Sequence, residues 1–343
     1  MNPTNATLPV IRLALEGDAL TLTNERVQKP SPAALLLPGK TLSLSLDILR
    51  MLLTLCPEAH AAALTAAAHA ESGGAPGTDA LVRRAVLEAV SETVRTAVYD
   101  IPRRHGALLP AVGAVRTLRA AHAKALTDNL SGASEAAFRV AVEKALPNDF
   151  LSEVTALFDD FSRLPSADAK TLFTVDTLRD DDLATLGRDL LEGKLEAPRA
   201  AVPGALAREC AREGLAPAFR PKDLFTARLA EVKRWLAGEE TRLGALRTLT
   251  LPASEPGLAA GIAGLETARG TLFAAVEMKD GRIVRAGFLA PTEWSMRKDA
   301  LPLVWARHFL AARRDNPRLK ERLETLFAAF DPCTDLVWEE GHA

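Results

Sequence analysis

Two apolar segments joined by Asp280-Gly281 constrain the fold of this chain most strongly. Residues 271–278 and 283–289 are rich in apolar, aromatic and β-branched residues, and Asp-Gly is a favoured sequence for the tight turn of a β-hairpin. The pattern therefore predicts two antiparallel strands. A second hairpin is predicted for residues 8–22, where apolar and polar residues alternate loosely around Glu16-Gly17-Asp18.

The part of the chain around Cys56 is predicted to be helical. Leucine and alanine recur at helical spacing from Ser43 to about Ala70, and only Pro57 interrupts them. This pattern predicts a short helix, a break, and a longer helix that begins near Cys56. The preceding stretch from Pro30 to Gly39 is predicted to form a loop.

The middle of the chain continues the helical pattern. A strongly periodic helix should begin at Thr78 and be stopped by Pro102, because proline removes a backbone donor from a helix. Further helices are predicted near residues 109–127, 131–145, 148–163, 179–193, 203–213, 221–242, 302–314 and 319–330. The elements together predict an α+β fold that is mainly α-helical.

We predict one unit over residues 1–343, divided into three segments. Residues 1–40 form an N-terminal β and loop segment, and residues 41–250 form a helical body. Residues 251–343 contain the hairpin, the C-terminal helices and a terminal Asp-Pro-Cys.

Composition excludes several partner classes. The formal net charge is only −2, so neither nucleic acid nor an anionic membrane surface is expected as a partner. No stretch has the roughly 20 consecutive apolar residues that span a bilayer, and the N-terminus lacks the pattern of a secretory signal. The sequence therefore predicts a soluble, cytoplasmic protein.

Cysteine usage directs attention to Cys56. The three cysteines are far apart and odd in number, which argues against a disulfide framework. Cys56 precedes His60 by four residues at a predicted helix start, so both side chains should face the same side. A helix N-terminus lowers the pKa of a thiol and favours the metal-binding thiolate. A buried small thiol beside a surface histidine is the alternative for this pair.

The other two cysteines differ in their surroundings. Cys333 follows Asp331-Pro332 close to the C-terminus, and so short a tail should contact the rest of the protein. Cys210 lies in a charged helical segment, where we expect a structural role.

Several motifs resemble those of nickel-iron hydrogenase large subunits. Residues 55–60, Leu-Cys-Pro-Glu-Ala-His, resemble the second half of the family's Cys-x-x-Cys-Pro-x-x-His motif, and residues 330–333, Phe-Asp-Pro-Cys, resemble its C-terminal Asp-Pro-Cys-x-x-Cys-x-x-His. Residues 266–272 are similar to Glu-Ala-Pro-Arg-Gly-x-Leu, and residues 290–294, after the hairpin, are similar to Val-Pro-Thr/Ser-x-Trp. Residues 204–208 are similar to Gly-Pro-Leu-Ala-Arg.

The resemblance implies a large-subunit-like helical body with a hairpin in the C-terminal half, and it implies roles for individual residues. In the family, the matching arginine and the hydroxyl residue after proline line the pocket of the iron-bound cyanides. Arg269 and Thr292, which follows Pro291, are therefore expected to donate hydrogen bonds to cyanide nitrogens. Their alternative role is to cap the hairpin. Cys56 matches a metal-bridging ligand and Cys333 a nickel-only ligand.

The departures from the family motifs argue against catalysis. Positions 53 and 336 hold leucine where the family has cysteine, Glu339 stands where a histidine is expected, and Ser295 replaces the usual asparagine. Leucine cannot replace a soft thiolate ligand. We therefore expect no nickel and no hydrogenase activity.

Large-subunit-like proteins with a reduced cysteine set are known as the HupK/HoxV type of hydrogenase accessory protein, and residues 49–56 and 92–102 resemble that type. The resemblance implies a hydrogenase maturation factor, a scaffold or chaperone that transiently carries Fe(CN)2(CO) or assists its transfer to the large subunit precursor. Cys56 and Cys333 would be the metal ligands, and Arg269, Thr292, Pro291 and His60 would surround the bound unit. His60 could instead lie on the surface.

Partners follow from the same resemblance. A maturation chaperone of the HypC/HupF type contacts the N-terminal cysteine region of the large subunit precursor, so the look-alike region around Cys56 is expected to bind the same chaperone. The alternative hypothesis is a metal-free interaction protein that mimics the large subunit to recruit maturation factors.

Overall fold

The computed structural model describes residues 10–16, 19–25, 31–72, 77–106, 108–167, 172–194, 202–213, 218–297 and 299–339. Its β-strands are β1 Ile11–Glu16, β2 Ala19–Asn24, β3 Leu172–Phe173, β4 Val202–Pro203, β5 Leu246–Leu251, β6 Ala259–Thr267, β7 Gly270–Lys279, β8 Arg282–Leu289 and β9 Leu336–Trp338.

The described residues also form α-helices between these strands. They are α1 Pro32–Leu36, α2 Leu42–Leu52, α3 Pro57–Ala68, α4 Thr78–Arg95, α5 Ile101–His105, α6 Val112–Thr127, α7 Gly132–Ala145, α8 Asn148–Ala156, α9 Asp180–Leu191, α10 Ala205–Glu213, α11 Pro221–Ala237, α12 Pro291–Ser295, α13 Leu301–Arg313 and α14 Leu319–Ala328. The predicted fold class, α+β and mainly α-helical, is confirmed.

The predicted hairpin forms the last two strands of a four-stranded antiparallel sheet with the order β5-β6-β7-β8. Helix α3 packs against β6 and β7, and α9 packs against β7 and β8. Leu272 and Ala274 belong to the core beside α3, whereas Phe273 and Ala275 belong to the core beside α9. Because successive strand residues point to opposite faces, the sheet is buried on both sides. A strand that is buried on both faces lacks alternation, which is why the sequence did not predict β6. The half-buried edge strand β5 was also not predicted.

The helices approach this sheet closely at two glycines. A Cβ added at Gly261 would lie 2.3 Å from the Ala67 carbonyl oxygen, and one added at Gly287 would lie 2.3 Å from the Leu190 carbonyl oxygen. Any larger residue would therefore push α3 or α9 away from the sheet. Gly261 thus lets the C-terminal end of α3 lie directly on the sheet, and Gly287 does the same for α9.

The N-terminal hairpin is confirmed, with β1 antiparallel to β2, while Gly17 and Asp18 of the predicted turn lie outside the described residues. Strand β9 adds to β1 in parallel, with Ile11 opposite Leu336 and Leu13 opposite Trp338. The segment that follows Cys333 is therefore paired with the beginning of the chain.

The helical prediction is correct for most elements, including the break between α2 and α3. The loop predicted for residues 30–39 is wrong, because α1 forms within it. The Ser31 hydroxyl accepts a hydrogen bond from the Ala33 amide, 3.2 Å long, and Pro32 occupies the first helical position.

The predicted stop at Pro102 is also wrong. A π-helical turn at Thr96–Asp100 follows α4 and leads directly into α5. Pro102 thus lies in the first turn of a new helical segment, where a missing backbone N–H is tolerated. Among the described residues no helix combines the length and apolarity needed to cross a bilayer. The division of the chain at residues 40/41 and 250/251 stays a prediction.

Candidate functional site

Cys56 lies at the N-terminus of α3 in a left-handed backbone conformation, with φ of 58°. Two glutamates of α4, one helical turn apart, accept hydrogen bonds from the backbone amides at this helix start. The Cys56 amide donates to Glu92 Oε1 at 3.0 Å, and the amides of Glu58 and Ala59 donate to Glu88 at 3.1 and 3.0 Å. The helix start is therefore held by buried carboxylates from another helix, which fixes the position of the thiol.

The Cys56 thiol is buried between a carboxylate and a guanidinium. Its Sγ lies 3.3 Å from Glu92 Oε2, and Arg269 Nη1 lies 3.0 Å from the same sulfur. Burial raises the pKa of this thiol well above its ordinary value, Glu92 raises the pKa further, and Arg269 opposes both. The expectation that the helix N-terminus favours the thiolate is wrong for the unliganded chain, because desolvation and the nearby carboxylates outweigh the helix dipole.

Arg269 lies in the turn between β6 and β7 and contacts both halves of the site. Its Nε donates to the Asp331 carbonyl oxygen at 2.7 Å, and its Nη1 forms an ion pair with Glu92. Its Nη2 is buried and has no hydrogen-bond partner among the described residues. The guanidinium thus links the turn, α4 and the C-terminal segment, with one N–H group still able to donate.

Asp331 anchors the C-terminal segment. Its backbone is left-handed, with φ of 47°, directly after the last helix. The carboxylate accepts a hydrogen bond from Thr96 Oγ1 at 2.8 Å and pairs with Arg228 and Arg269. Burial disfavours the charged form, but the two guanidinium groups outweigh it and hold the pKa of Asp331 well below its usual range.

Thr292 positions Cys333. The Thr292 hydroxyl accepts a hydrogen bond from the Cys333 amide at 2.9 Å, and the Thr292 carbonyl oxygen accepts one from Asn24 Nδ2 at 3.1 Å. Thr292 is fully buried and is absent from the cavity wall, whereas its neighbour Pro291 forms part of that wall. In the unliganded chain the hydroxyl therefore acts as an acceptor that holds the backbone of Cys333.

His60 lies one turn after Cys56, as predicted from the spacing. Its Nδ1 is 2.7 Å from the Cys56 carbonyl oxygen, and its ring lies 5.5 Å from that of Phe288. The side chain is 7% exposed, so the alternative of a surface histidine is wrong. Cys210, in contrast, is buried on α10 and is not part of the cavity wall.

One cavity of about 370 Å³ brings these residues together. Its wall contains five of the six predicted site residues, namely Cys56, His60, Arg269, Pro291 and Cys333. Within the described ranges, no group of three or more histidine, cysteine, aspartate or glutamate side chains is arranged to hold a metal ion. A bound metal would thus depend on the two thiols and on ligands that it brings with it.

Several residues of the site were not predicted. Glu92, Asp331 and the arginines at positions 95, 103 and 104 contact the key side chains or line the cavity. Glu88 and Glu92 are four residues apart on the buried side of a valine-rich helix. Paired acids on an apolar face were the signal that could have revealed their role.

Glu266, the first residue of the motif at residues 266–272, has a structural role. Glu266 pairs with Arg208 at 2.8 Å and accepts hydrogen bonds from the Val175 amide and the Thr271 hydroxyl. Arg208 is also paired with Glu231 at 2.6 Å. This buried network joins Arg208 of residues 204–208 to Glu266 of residues 266–272, whereas Arg269 of the latter segment contacts the Cys56 thiol.

Comparison with known proteins supports the resemblance. No family model matches the sequence. The hydrogenase expression/formation protein HupK of Bradyrhizobium diazoefficiens is 29% identical over 367 aligned positions, which cover 94% of this chain and 95% of that protein. This chain is thus similar to HupK over nearly its whole length.

Solved structures show the same fold. An NAD+-reducing [NiFe]-hydrogenase in the H2-reduced state superposes with a TM-score of 0.57 at 15% identity, covering 93% of this chain and 94% of that one. The Ni-Fe-Se hydrogenase of D. vulgaris Hildenborough gives a TM-score of 0.54 at 14% identity, again over 93% and 94%. The chain therefore has the fold of the hydrogenase large subunits over nearly its whole length.

Proposed function

We propose that this chain is a hydrogenase maturation factor that holds the Fe(CN)2(CO) unit as cargo between Cys56 and Cys333 and passes it to the large subunit precursor. The observation that carries the proposal is that both thiols line one cavity whose wall also contains Arg269, with a buried N–H group that has no partner in the described structure. The similarity to a hydrogenase expression/formation protein supports an accessory role.

The donor set fits this cargo better than a complete bimetallic centre. Two thiols can bind one iron whose remaining positions carry cyanide and carbon monoxide, whereas nickel in such a site needs further thiolates that the leucines at positions 53 and 336 cannot supply. Arg269 Nη2 is a suitable donor to a cyanide nitrogen. Binding must release the proton of Cys56, as metal binding to a thiol generally does.

The unliganded geometry also favours a second candidate function. The Cys56 thiol is already hydrogen-bonded between Glu92 and Arg269, and its raised pKa disfavours the thiolate. A metal-free protein that mimics the large subunit to recruit maturation factors would need no more than this. In both functions the partners would be a HypC/HupF-type chaperone and the large subunit precursor.

Infrared spectroscopy of anaerobically purified protein separates the two functions. A carrier shows bands in the cyanide and carbonyl stretching region together with bound iron, and the Cys56→Ala variant loses both while keeping its fold. The matched control is Cys210→Ala, which removes a buried thiol away from the cavity and should keep iron and bands. Normal hydrogenase maturation in a strain that carries Cys56→Ala would refute the carrier function.

Co-purification tests the partner. The HypC/HupF-type chaperone should be recovered with the wild-type chain and lost with Cys56→Ser if the thiol takes part in the contact. Recovery that is unchanged in Cys56→Ser would show that the thiol is not part of this interface.

A further inference from the structure

Two arginines of the cavity wall lack the carboxylate partners that the other wall arginines have. Arg95 pairs with Asp100 at 3.0 Å, and Arg269 pairs with Glu92 and Asp331. Arg103 and Arg104, on α5, line the same cavity. Among the described residues neither has a carboxylate oxygen within 4.0 Å.

The surroundings of the two side chains leave their charges available. The Arg103 guanidinium lies 5.9 Å from the centre of the Tyr99 ring, a contact that leaves its N–H groups free to donate. Arg104 is half-buried, and its Nε is fully buried without a hydrogen-bond partner in the described part of the chain. An arginine does not lose its proton at physiological pH, so a partly desolvated guanidinium gains from a bound anion.

The aspartates of the wall do not fill this role. Asp100 is paired with Arg95, and Asp331 is paired with Arg228 and Arg269. Asp335 is exposed and forms no ion pair among the described residues. The cavity therefore carries two positive charges whose counterion is not supplied by its own wall.

We propose that Arg103 and Arg104 form a binding site for a compact polyvalent anion with several terminal acceptor atoms. Arg103 is exposed and Arg269 is buried, so guanidinium groups are present from the rim of the cavity to the thiols. Two ligand sources share this chemistry: a metal complex with bound cyanides, and an oxyanion such as a phosphate. The first source rests on the proposed function, and the second is independent of it.

Calorimetric titration of the purified, unliganded chain at low ionic strength tests the site. The first ligand is hexacyanocobaltate(III), whose cyanide nitrogens point outward and whose inert metal does not react with thiols. The second is pyrophosphate, an oxyanion of similar charge. Both should bind the wild type, and the Arg103→Ala/Arg104→Ala variant should bind the preferred anion about tenfold or more weakly.

The control is Arg116→Ala/Arg119→Ala, which removes the same charge from exposed positions of α6 outside the cavity wall. If affinity is unchanged in the Arg103/Arg104 variant, or falls equally in both double variants, the site is refuted. Should the alanine variant fail to fold, Arg103→Gln/Arg104→Gln keeps most of each side chain and is held to the same criterion.

The ratio of the two affinities shows which of the two anion classes, a cyanide-bearing metal complex or an oxyanion, the site prefers. Tighter binding of hexacyanocobaltate supports recognition of a cyanide-bearing complex, and tighter binding of pyrophosphate assigns an oxyanion. The proposed function fails separately, through the absence of cyanide and carbonyl bands in protein purified from cells. In that case a positive titration still supports the anion site.

Discussion

The Nη1 atom of Arg269 lies 3.0 Å from the Sγ atom of Cys56, although 213 positions separate the two residues in the chain. The same guanidinium binds the backbone of Asp331, two residues before Cys333. One buried side chain therefore sets the distance between the two walls that carry the thiols.

Arg269→Lys should weaken both the fold and the binding of cargo. Lysine keeps the charge but lacks the planar fork, so its single ammonium cannot reproduce the contacts that Nε and Nη1 of Arg269 make with Asp331, Cys56 and Glu92. We expect the free energy of unfolding to fall by about 1–3 kcal/mol and cargo affinity to fall by about 1.5–3 kcal/mol, roughly tenfold to a hundredfold. Denaturant unfolding measures the first quantity, and iron content with the cyanide stretching frequencies measures the second. Arg83→Lys, at an exposed ion pair, is the control.

Thr292→Val should loosen the segment that carries Cys333. Valine keeps the shape of threonine but cannot accept the hydrogen bond from the Cys333 amide, which should cost about 0.5–1.5 kcal/mol. Alkylation of Cys333 by iodoacetamide, followed by mass spectrometry in a Cys210→Ala background, should become faster. Thr292→Ser, which restores the hydroxyl, should return the rate toward that of wild type. Equal rates in all three proteins would contradict the role given to this hydroxyl.

Glu92→Gln should lower the pKa of Cys56. Burial remains in this variant, but the negative charge that raises the pKa is removed and the opposing effect of Arg269 persists. The pH profile of Cys56 alkylation should therefore shift to lower pH than in the wild type. Glu135→Gln, an acidic residue on another helix, should leave the profile in place. A shift to higher pH would show that Glu92 acts on the thiol mainly through something other than its charge.

His105 should make the protein less stable in mild acid. Burial, together with the positive charges of Arg322 and Arg318, lowers the pKa of His105 to about 4 from an ordinary value of 6.5. Between these pH values the unfolded chain binds a proton that the folded chain does not, so the free energy of unfolding should decrease as pH falls from 6.5 toward 4. His105→Gln should lose less stability over that interval in denaturant titrations. A parallel decrease in both proteins would exclude His105 as the cause.

Local sequence patterns predicted the hairpin, the break before Cys56 and most helices, because turn residues and helical periodicity act over short distances. They could not predict that Glu92 and Asp331 would surround Arg269, since those pairs are set by packing between distant elements. The prediction of a thiolate at Cys56 was wrong for the same reason, because Glu92 belongs to another helix. A helix start favours the anion only when burial and nearby carboxylates do not oppose it.

For the motif residues, the resemblance predicted their location better than their hydrogen-bonding roles. The resemblance singled out Arg269, Cys56 and Cys333, and the structure places all three on one cavity. It did not distinguish Thr292, which holds a backbone amide, from residues that reach the cavity surface. A motif identifies which residues matter together, but the direction of each hydrogen bond depends on the three-dimensional arrangement.

The pairing of β9 with β1 also determines when the site can exist during synthesis. Residues 336–338 leave the ribosome after the strands, helices and other cavity residues described above, so a nascent chain holds Cys56 and Arg269 without the wall that carries Cys333. Pairing of β9 with β1 then joins two segments that lie far apart in the sequence, and contacts of this kind form slowly in folding. If the chain carries the proposed cargo, loading onto both thiols would consequently follow the synthesis of β9.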